Sequence, residues 1–383
     1  MTMMKIRYGM VGGGEDAFIG SVHRQAAALD GEYKLVCGAF SADAARSLRS
    51  GLSFGLPARR CYPDYTSMMQ QEALLPPDKR MQCVVIATPN HLHLPVAQAA
   101  LQLGFHVLSD KPATFDLAEC RELAALVHKT GLLYGLTHPY VAYPMVQQAR
   151  TLVAEGRLGT IHKIVVEYIQ GWLSSPIEHS GNKQAAWRVD PARSGKSCCM
   201  GDIGVHAFNL AEFVSGLEVT KLRGELNRIV TGRQLDDDGV VSLHFNNNAR
   251  GVLLASQIST GEANGIRLRI HGDKAGLDWQ QMEPNSLWLR APNQPAELYR
   301  TGTSYVGDAA SWHTRLPAGH PEGYIEAFAN IYRAFAGQIR THGQGSAPAQ
   351  VAPGIKEALR GMAFIETAVN SAAQDQWLPF PAV

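Results

Sequence analysis

The sequence predicts an α/β N-terminal half built on a doubly wound parallel sheet, followed by an α+β half with a large, mostly antiparallel open sheet. Three observations carry this expectation. Apolar strand-like runs alternate with helical periodicities through about residue 136. A glycine-rich turn follows the first run. Beyond about residue 145, long stretches of strict apolar–polar alternation replace the strand–helix rhythm. The chain has 383 residues, too many for one core of ordinary size. The expected division is 1–140 and 141–383.

The elements follow in order. Residues 5–11 read as a first strand, ahead of Gly12-Gly13-Gly14. Residues 21–29 place Val22, Ala26 and Leu29 on one helical face. Tyr33 to Phe40 is a second apolar run, and a helix carrying Ala44, Ala45 and Leu48 follows. Cys83-Val84-Val85-Ile86-Ala87 is a continuous run of the kind buried on both faces of a parallel sheet. A helix over 94–103 stops at Gly104, strands cover 105–109 and 132–136, and a helix over 116–129 lies between them. In the second half, a helix with Val146, Ala149 and Leu152 ends at Glu155-Gly156. The run 161–168 alternates. Residues 240–245 and 251–255 form a hairpin about Asn246-Asn247-Asn248, and Ile266, Leu268 and Ile270 precede a turn into Leu277-Asp278-Trp279. Helices near 322–339 and 354–372 finish the chain. The three aspartates 236–238 read as a solvated turn.

Composition narrows the function. Hydrophobic content of 45% and charged content of 18% are those of an ordinary globular protein. A net charge of +1 gives no overall pull toward nucleic acid or acidic lipid, so a small-molecule ligand is expected. No stretch has the length and apolarity of a membrane helix, and Met1-Thr2-Met3-Met4-Lys5-Ile6 has no signal-peptide core. The six cysteines form no disulfide framework. Cys37 and Cys83 sit in core-like runs, and Cys198-Cys199 lacks metal or redox spacing. A reducing cytoplasm fits this usage. His91 and His93 lack partners at ligand spacing, and no metal is expected.

A glycine turn between a strand and a helix lets backbone amides and the helix N-terminus meet a pyrophosphate. Gly12, Gly14, Ile19 and Gly20 are the candidates here. Gly20 follows Gly14 by six residues rather than three, as if Glu15-Asp16-Ala17 were inserted. The second strand ends in Ala39-Phe40-Ser41, without the usual acidic residue for the ribose hydroxyls. Ser41 and Arg46 could hold a 2′-phosphate, and Ser41 could equally bond a plain ribose, so NAD and NADP both stay open.

Further landmarks line up. Val84-Val85-Ile86-Ala87-Thr88-Pro89-Asn90-His91-x-His93 leads to Ala99-Ala100-Leu101-x-x-Gly104-x-His106-Val107-Leu108-x-Asp110-Lys111-Pro112. Gly156-Arg157-Leu158-Gly159, Gly201-Asp202-Ile203-Gly204-x-His206 and Gly272-x-Lys274-Ala275-Gly276 follow in order. This series resembles the glucose-fructose oxidoreductase/inositol dehydrogenase (Gfo/Idh/MocA) family over nearly the whole chain, with Asp-Lys-Pro in place of that family's Glu-Lys-Pro. The opening Gly-Gly-Gly-x-x-Ala-Phe-Ile-Gly-x-Val-His-Arg resembles the branch with levoglucosan dehydrogenase-like enzymes. The resemblance implies a Rossmann domain, an α+β substrate domain, and a homodimer or homotetramer paired through the large sheet. It also implies NAD(P)-dependent oxidation or reduction of a carbinol in a sugar, anhydrosugar or cyclitol. His138-Pro139-Tyr140-Val141-Ala142-Tyr143-Pro144 lacks the arginine often found there.

The chemistry of these residues suits that reaction. Oxidising a secondary alcohol needs a base of near-neutral pKa for the hydroxyl proton, and His206 is the choice. Asp202, four residues earlier, shares its face of an expected helix and can fix the imidazole tautomer. An aspartate at a helix start is commonly a cap and a buried histidine commonly structural; the family pattern tips the balance. Lys111, at the carboxyl end of its strand, can hydrogen-bond the reacting oxygen. Thr88, Pro89, Asn90, His93 and Asp110 are expected beside the cofactor. Trp187 and Arg188 suit sugar faces and hydroxyls, and His320 is a further substrate candidate. Two other readings keep the same fold: a non-catalytic nucleotide-binding sensor, and a glycosidase that uses NAD redox transiently.

Overall fold

In the computed structural model, which describes residues 4–383, the chain divides into two compact units. The first runs up to Thr137 and takes in Phe328–Leu359. The second comprises His138–Ala327 and Arg360–Val383. Met1-Thr2-Met3, the start of the N-terminal stretch considered above, lie outside the described residues.

The first unit is a five-stranded parallel sheet flanked by helices. Its elements are β1 (Ile6–Gly12), α1 (Phe18–Leu29), β2 (Tyr33–Ala39), α2 (Ala44–Ser53), α3 (Tyr65–Ala73), β3 (Cys83–Ala87), α4 (His93–Gln102), β4 (His106–Ser109), α5 (Leu117–Thr130) and β5 (Tyr134–Leu136). The strand order is β2-β1-β3-β4-β5, with every pair parallel. The order reverses beside β1, and ligands of such sheets bind at that switch point, outside the carboxyl ends of the strands. All five residues of β3 are buried, as a strand covered on both faces requires. Helix ends follow local chemistry: Asp116 caps α5 by accepting from the Glu119 amide, and Gly131 closes it in a left-handed conformation at φ 66°.

The expected boundary at 140/141 needs correction, because the first unit is not contiguous in sequence. Tyr332 shares a 2.8 Å hydrogen bond with His23 Nδ1, and its carbonyl accepts from Tyr33 Oη at 2.9 Å. The amide of Leu136 in β5 donates to Pro353 O at 2.7 Å. These buried polar groups require the late segment Phe328–Leu359, and that ties it to the N-terminal sheet.

The second unit contains α6 (Pro144–Ala154), β6 (Ile161–Ile169), α7 (Lys183–Arg188), α8 (Pro191–Ser194), α9 (Val205–Ser215), β7 (Val219–Asn227), β8 (Asp238–Phe245), β9 (Arg250–Ser256), β10 (Gly265–Gly272), β11 (Gly276–Gln280), β12 (Ser286–Arg290), β13 (Glu297–Arg300) and α10 (Asp308–Trp312). Helices α11 (Tyr324–Thr341) and α12 (Ile355–Gln374) and the short β14 (Leu378–Pro379) end the chain. Nine strands form one sheet in the order β13-β12-β11-β10-β6-β9-β8-β7-β14. Only the β6–β9 pair is parallel among its described pairings. Strict alternation sets one face: Ile164, Val166, Tyr168, Ile266, Leu268 and Ile270 are buried, while Val165, Glu167, Arg267 and Arg269 are half-buried. Helices α6 and α9 lie against the buried face. Among the described residues, no helix is long and apolar enough to cross a membrane, and no cluster of His, Cys, Asp and Glu could hold a metal ion.

The run 236–238 is not a solvated turn. Asp236 and Asp237 are buried. Asp236 accepts from the amides of Cys198 and Met200, each at 2.9 Å, and from Ser197 Oγ. Asp237 accepts from the amides of Ile229 and Val230 and from the buried Arg233. Three consecutive carboxylates look solvent-facing in a sequence, but each of these two is matched by a full set of donors.

Candidate active site and cofactor cradle

The cradle of the first unit is built from backbone packed against backbone. Gly12 and Gly13 have φ of 78° and 66°, the left-handed region that glycine enters without strain. A Cβ on Gly12 would stand 2.4 Å from Ala87 O, at the end of β3. A Cβ on Gly20 would stand 2.4 Å from the Cα of Gly13. Gly20 therefore packs the first turn of α1 onto the loop, the place of the usual third glycine. The three extra residues lengthen the loop without removing that contact. Gly14 is a different case. Its Cβ would point at Ser50 Oγ (3.0 Å) and Phe40 O (3.1 Å), so this glycine allows the loop to approach the end of β2 rather than leaving open space. Arg24 on α1 donates to Gly13 O and holds the loop from the other side.

The N-terminus of α1 carries no side-chain cap, and Ile19 lies half-buried in its first turn. The loop after β3 holds two buried polar atoms without a protein partner among the described residues, Thr88 Oγ1 and His91 Nδ1. An uncapped helix N-terminus, a glycine cradle and orphaned polar atoms fit a dinucleotide, whose pyrophosphate, ribose and amide groups supply the missing partners. Pro89 and the buried Asn90 continue this loop. Beyond β2, Ser41 Oγ accepts from the Asp43 amide, and Asp43 caps α2. Arg46 pairs at 2.5 Å with Asp16 of the inserted triplet, so it is already engaged by a carboxylate.

Two expected cofactor residues are engaged with the protein's own backbone. His93 is 1% exposed, with Nδ1 2.7 Å from Pro112 O and Nε2 2.9 Å from Thr88 O. It bridges the loops after β3 and β4 and shapes them through their carbonyls. Burial pulls its pKa down, against the raising pull of Asp110 and the two carbonyls. Asp110 Oδ1 accepts from the Lys111 amide and from Thr137 Oγ1, each at 2.9 Å. That carboxylate fixes the end of β4, on which the half-buried Lys111 sits, and the Lys111–Pro112 peptide is cis.

The second unit gathers the other set. Met200–Gly204 is one wide π-helical turn that runs into α9 at Val205, so Asp202 and His206 span a π–α junction rather than one regular α-turn. Such bulges re-aim side chains and are frequent at functional sites. Asp236 supports the start of this turn through the amides named above. Burial raises the pKa of Asp236, against the lowering effect of its donors. Asp202 Oδ2 accepts from Gln257 Nε2 at 2.9 Å and from Arg188 Nε at 3.2 Å. The Arg188 guanidinium lies 4.4 Å from the Trp187 ring centre and 5.7 Å from that of Trp172. The predicted Arg188 and Trp187 therefore meet Asp202 in an aromatic–cationic cluster.

His206 is 6% exposed. Its Nδ1 lies 3.0 Å from Nδ1 of His138. Tyr140 stands edge-on to it at 5.0 Å, and Tyr168 is tilted against it at 6.3 Å. The hydroxyls of these tyrosines share a hydrogen bond, and Tyr168 donates to Asn264 Oδ1 at 2.9 Å. Burial raises both phenols above their ordinary value, so they stay neutral. His320 is exposed and donates from Nδ1 to Pro317 O. Sequence reasoning missed His138, Tyr140, Tyr168, Trp172, Gln257 and Asn264 as site residues. They come from several segments of the chain, and the register of β6 beside β10 places Tyr168 opposite Ile266, two residues from Asn264.

Known proteins agree with this architecture. Residues 6–138 match the oxidoreductase family with the NAD-binding Rossmann fold, and residues 146–278 match the GFO/IDH/MocA C-terminal domain. The uncharacterised oxidoreductase YfiI of Bacillus subtilis is 34% identical over 98% of this chain and 97% of its own. The chain belongs to the Gfo/Idh/MocA family. Within it, levoglucosan dehydrogenase of Pseudarthrobacter phenanthrenivorans is 26% identical over 80% of this chain and 82% of its own. The crystal structure of an inositol dehydrogenase homologue from Azotobacter vinelandii with NAD+ superposes at a TM-score of 0.95, with 33% identity and 98% of each chain covered. The same homologue, with NADH and myo-inositol, gives 0.92 at 32% identity over 98% of each chain. This Gfo/Idh/MocA chain is thus an oxidoreductase with an NAD-binding domain.

Proposed function

We propose that the protein is an NAD-dependent dehydrogenase acting on a secondary carbinol of a sugar, anhydrosugar or cyclitol. The observation that carries this reading is His206, held at one ring nitrogen and lying in the unit where Asp202 meets Arg188 and two tryptophans. Aromatic faces and a carboxylate–guanidinium pair are the chemistry that grips polyols. When bound, the nicotinamide supplies the two-electron hydride acceptor. His206 takes the hydroxyl proton at Nε2, Lys111 donates a hydrogen bond to the reacting oxygen, and Asp202 and Arg188 orient neighbouring hydroxyls. The relatives that act on or bind levoglucosan and myo-inositol support that substrate class.

The inserted loop supports NAD over NADP. Asp16 occupies Arg46, the cation that would otherwise meet a 2′-phosphate, and adds a negative charge beside it. Asp16→Asn is expected to raise the NADP-to-NAD ratio of kcat/KM several-fold, and an unmoved ratio places the loop away from the ribose. The test of the function itself is a screen of sugars, anhydrosugars and inositols with each cofactor, read as absorbance of reduced nicotinamide. Binding of NADH without turnover of any polyol would sink the dehydrogenase reading in favour of a sensor.

A further inference from the structure

We propose that Arg233 is the positioning residue of the polyol-gripping cluster, setting where Trp172 and Arg188 stand against Asp202. This rests on the reading of that cluster as the substrate grip. The observation is a buried guanidinium with all five N–H donors engaged, four of them by one short segment. Nη1 donates to Leu173 O at 2.7 Å, and Nη2 to Ser175 O at 3.0 Å. Nε and Nη2 hold the two carboxylate oxygens of Glu178 at 3.0 and 3.1 Å, and Nη1 also donates to Asp237 Oδ2 at 3.2 Å. The side chains of Arg233, Glu178 and Asp237 are 2%, 6% and 1% exposed. A planar guanidinium keeps its donors in one rigid fork, so it imposes one relative placement on Leu173, Ser175 and Glu178. A buried ion pair adds little net stability over apolar packing; its worth here lies in selecting that one placement.

The segment so held carries the gripping groups. Trp172 precedes Leu173, and its Nε1 donates to Gln170 Oε1 at 3.0 Å. Glu178 lies in the 3-10 turn Ile177–Ser180, which packs against α7, the helix that bears Trp187 and Arg188. Leu173 and Ala185 of α7 share one buried apolar cluster with Cys198 and Leu235. Close packing passes a shift of Leu173 on to that helix. Asp202 is tied to the same frame. The Leu173 amide donates to Gln257 O at 3.0 Å, the Gln257 amide donates to Asp237 O at 2.9 Å, and the Gln257 side chain donates to Asp202. Arg233, Leu173, Gln257 and Asp237 thereby close a ring of hydrogen bonds. Asp202 is attached to it through Gln257, and the Trp172–Arg188 segment through Leu173. Asp236, the neighbour of Asp237, supports the turn that bears Asp202. Two adjacent aspartates therefore hold the two halves of the Asp202–Arg188 pair, one through the π-helical turn and one through Arg233.

The experiment is a double-mutant cycle in the full-length enzyme, with NAD and whichever of myo-inositol and levoglucosan the wild type turns over faster. Lysine keeps the charge that balances the buried carboxylates, but its donors sit on one nitrogen and cannot reach all of these acceptors. Arg233→Lys is expected to raise KM for the polyol roughly 10-fold and to leave kcat within about threefold, the pattern of binding lost equally from ground and transition states. NADH affinity should stay in place. In an Arg188→Met background the same substitution should change kcat/KM by no more than about twofold, because the group it positions is gone. A wild-type KM in folded Arg233→Lys overturns the proposal. So does an equal loss in both backgrounds, which is what a purely structural role gives. If Arg233→Lys does not fold, Glu178→Gln takes its place in the cycle, since it weakens the hold on the segment while Asp237 still pairs with Arg233. Its expected KM rise is roughly threefold, again absent beside Arg188→Met, and an unmoved KM or additive losses overturn the proposal. Arg188→Met alone separates the two readings. If it leaves KM unchanged, the polyol reading of the cluster itself fails. If it raises KM while Arg233→Lys behaves as wild type, only the role of Arg233 fails.

Discussion

His93 and His206 are both buried histidines close to residues of the proposed site, yet their rings are used in opposite ways. Both ring nitrogens of His93 face backbone carbonyls, Thr88 O and Pro112 O, so the ring is consumed as a strut between two loops. His206 is bonded at Nδ1 to another side chain that can give or accept a proton, and aromatic rings stand around it. Burial alone does not mark a catalytic histidine. What distinguishes the two is whether the partners can change protonation with the ring.

His206→Ala should break the comparison most sharply. It is expected to lower kcat roughly 10²–10⁴-fold, the usual worth of a positioned acid–base group, with little change in NADH affinity. A retained near-neutral limb in the pH dependence of kcat/KM would reassign the base. Asp236→Ala tests the support beneath that histidine. It strands the buried amides of Cys198 and Met200, so a loss of about 2–5 kcal/mol in stability is expected, together with reduced kcat. Equal denaturation midpoints for variant and wild type would mean that the π-turn is held some other way.

His93→Phe should do less and do it differently. One carbonyl loses its donor, since the neutral ring carries a single N–H, costing about 1–3 kcal/mol of stability, while the acid limb of kcat/KM stays in place. A shifted limb would erase the contrast with His206. The smallest expected effect is in acid. Burial holds His93 below its ordinary value of 6.5 and brings His106 down to about 4. A depressed native pKa means that the unfolded chain binds more protons, so this stability is complete above pH 6.5 and is lost as pH falls toward 4. Denaturation midpoints at pH 7.5 and 5.5 should therefore differ less in His106→Asn than in wild type; equal acid losses would remove His106 as the cause.

The parallel sheet was legible because Cys83–Ala87 and its neighbours are buried on both faces and punctuated by glycine. The hairpin of β8 and β9 was legible from strict alternation. Gly20 was legible as the third glycine of the turn despite its late position, since backbone contact with Gly13 tolerates no side chain. What escaped depended on partners far along the chain. Asp236 reads as solvated until the amides of 198 and 200 are seen against it, and His138 is an unremarked turn residue until His206 arrives from 68 residues away. Periodicity reports which face is buried; it does not report which polar groups meet there.

The late return of Phe328–Leu359 to the first unit has a consequence for how the chain is made. A ribosome releases the five strands of the parallel sheet long before it releases Tyr332 and Pro353, which complete the hydrogen bonds of His23, Tyr33 and Leu136. Until then the N-terminal sheet has an open flank. Strand β6 waits as well, because both its neighbours, β9 and β10, are synthesised much later. Synthesis from the N-terminus therefore cannot finish one unit before beginning the other, and the nascent chain must carry unfinished apolar surface nearly to its end.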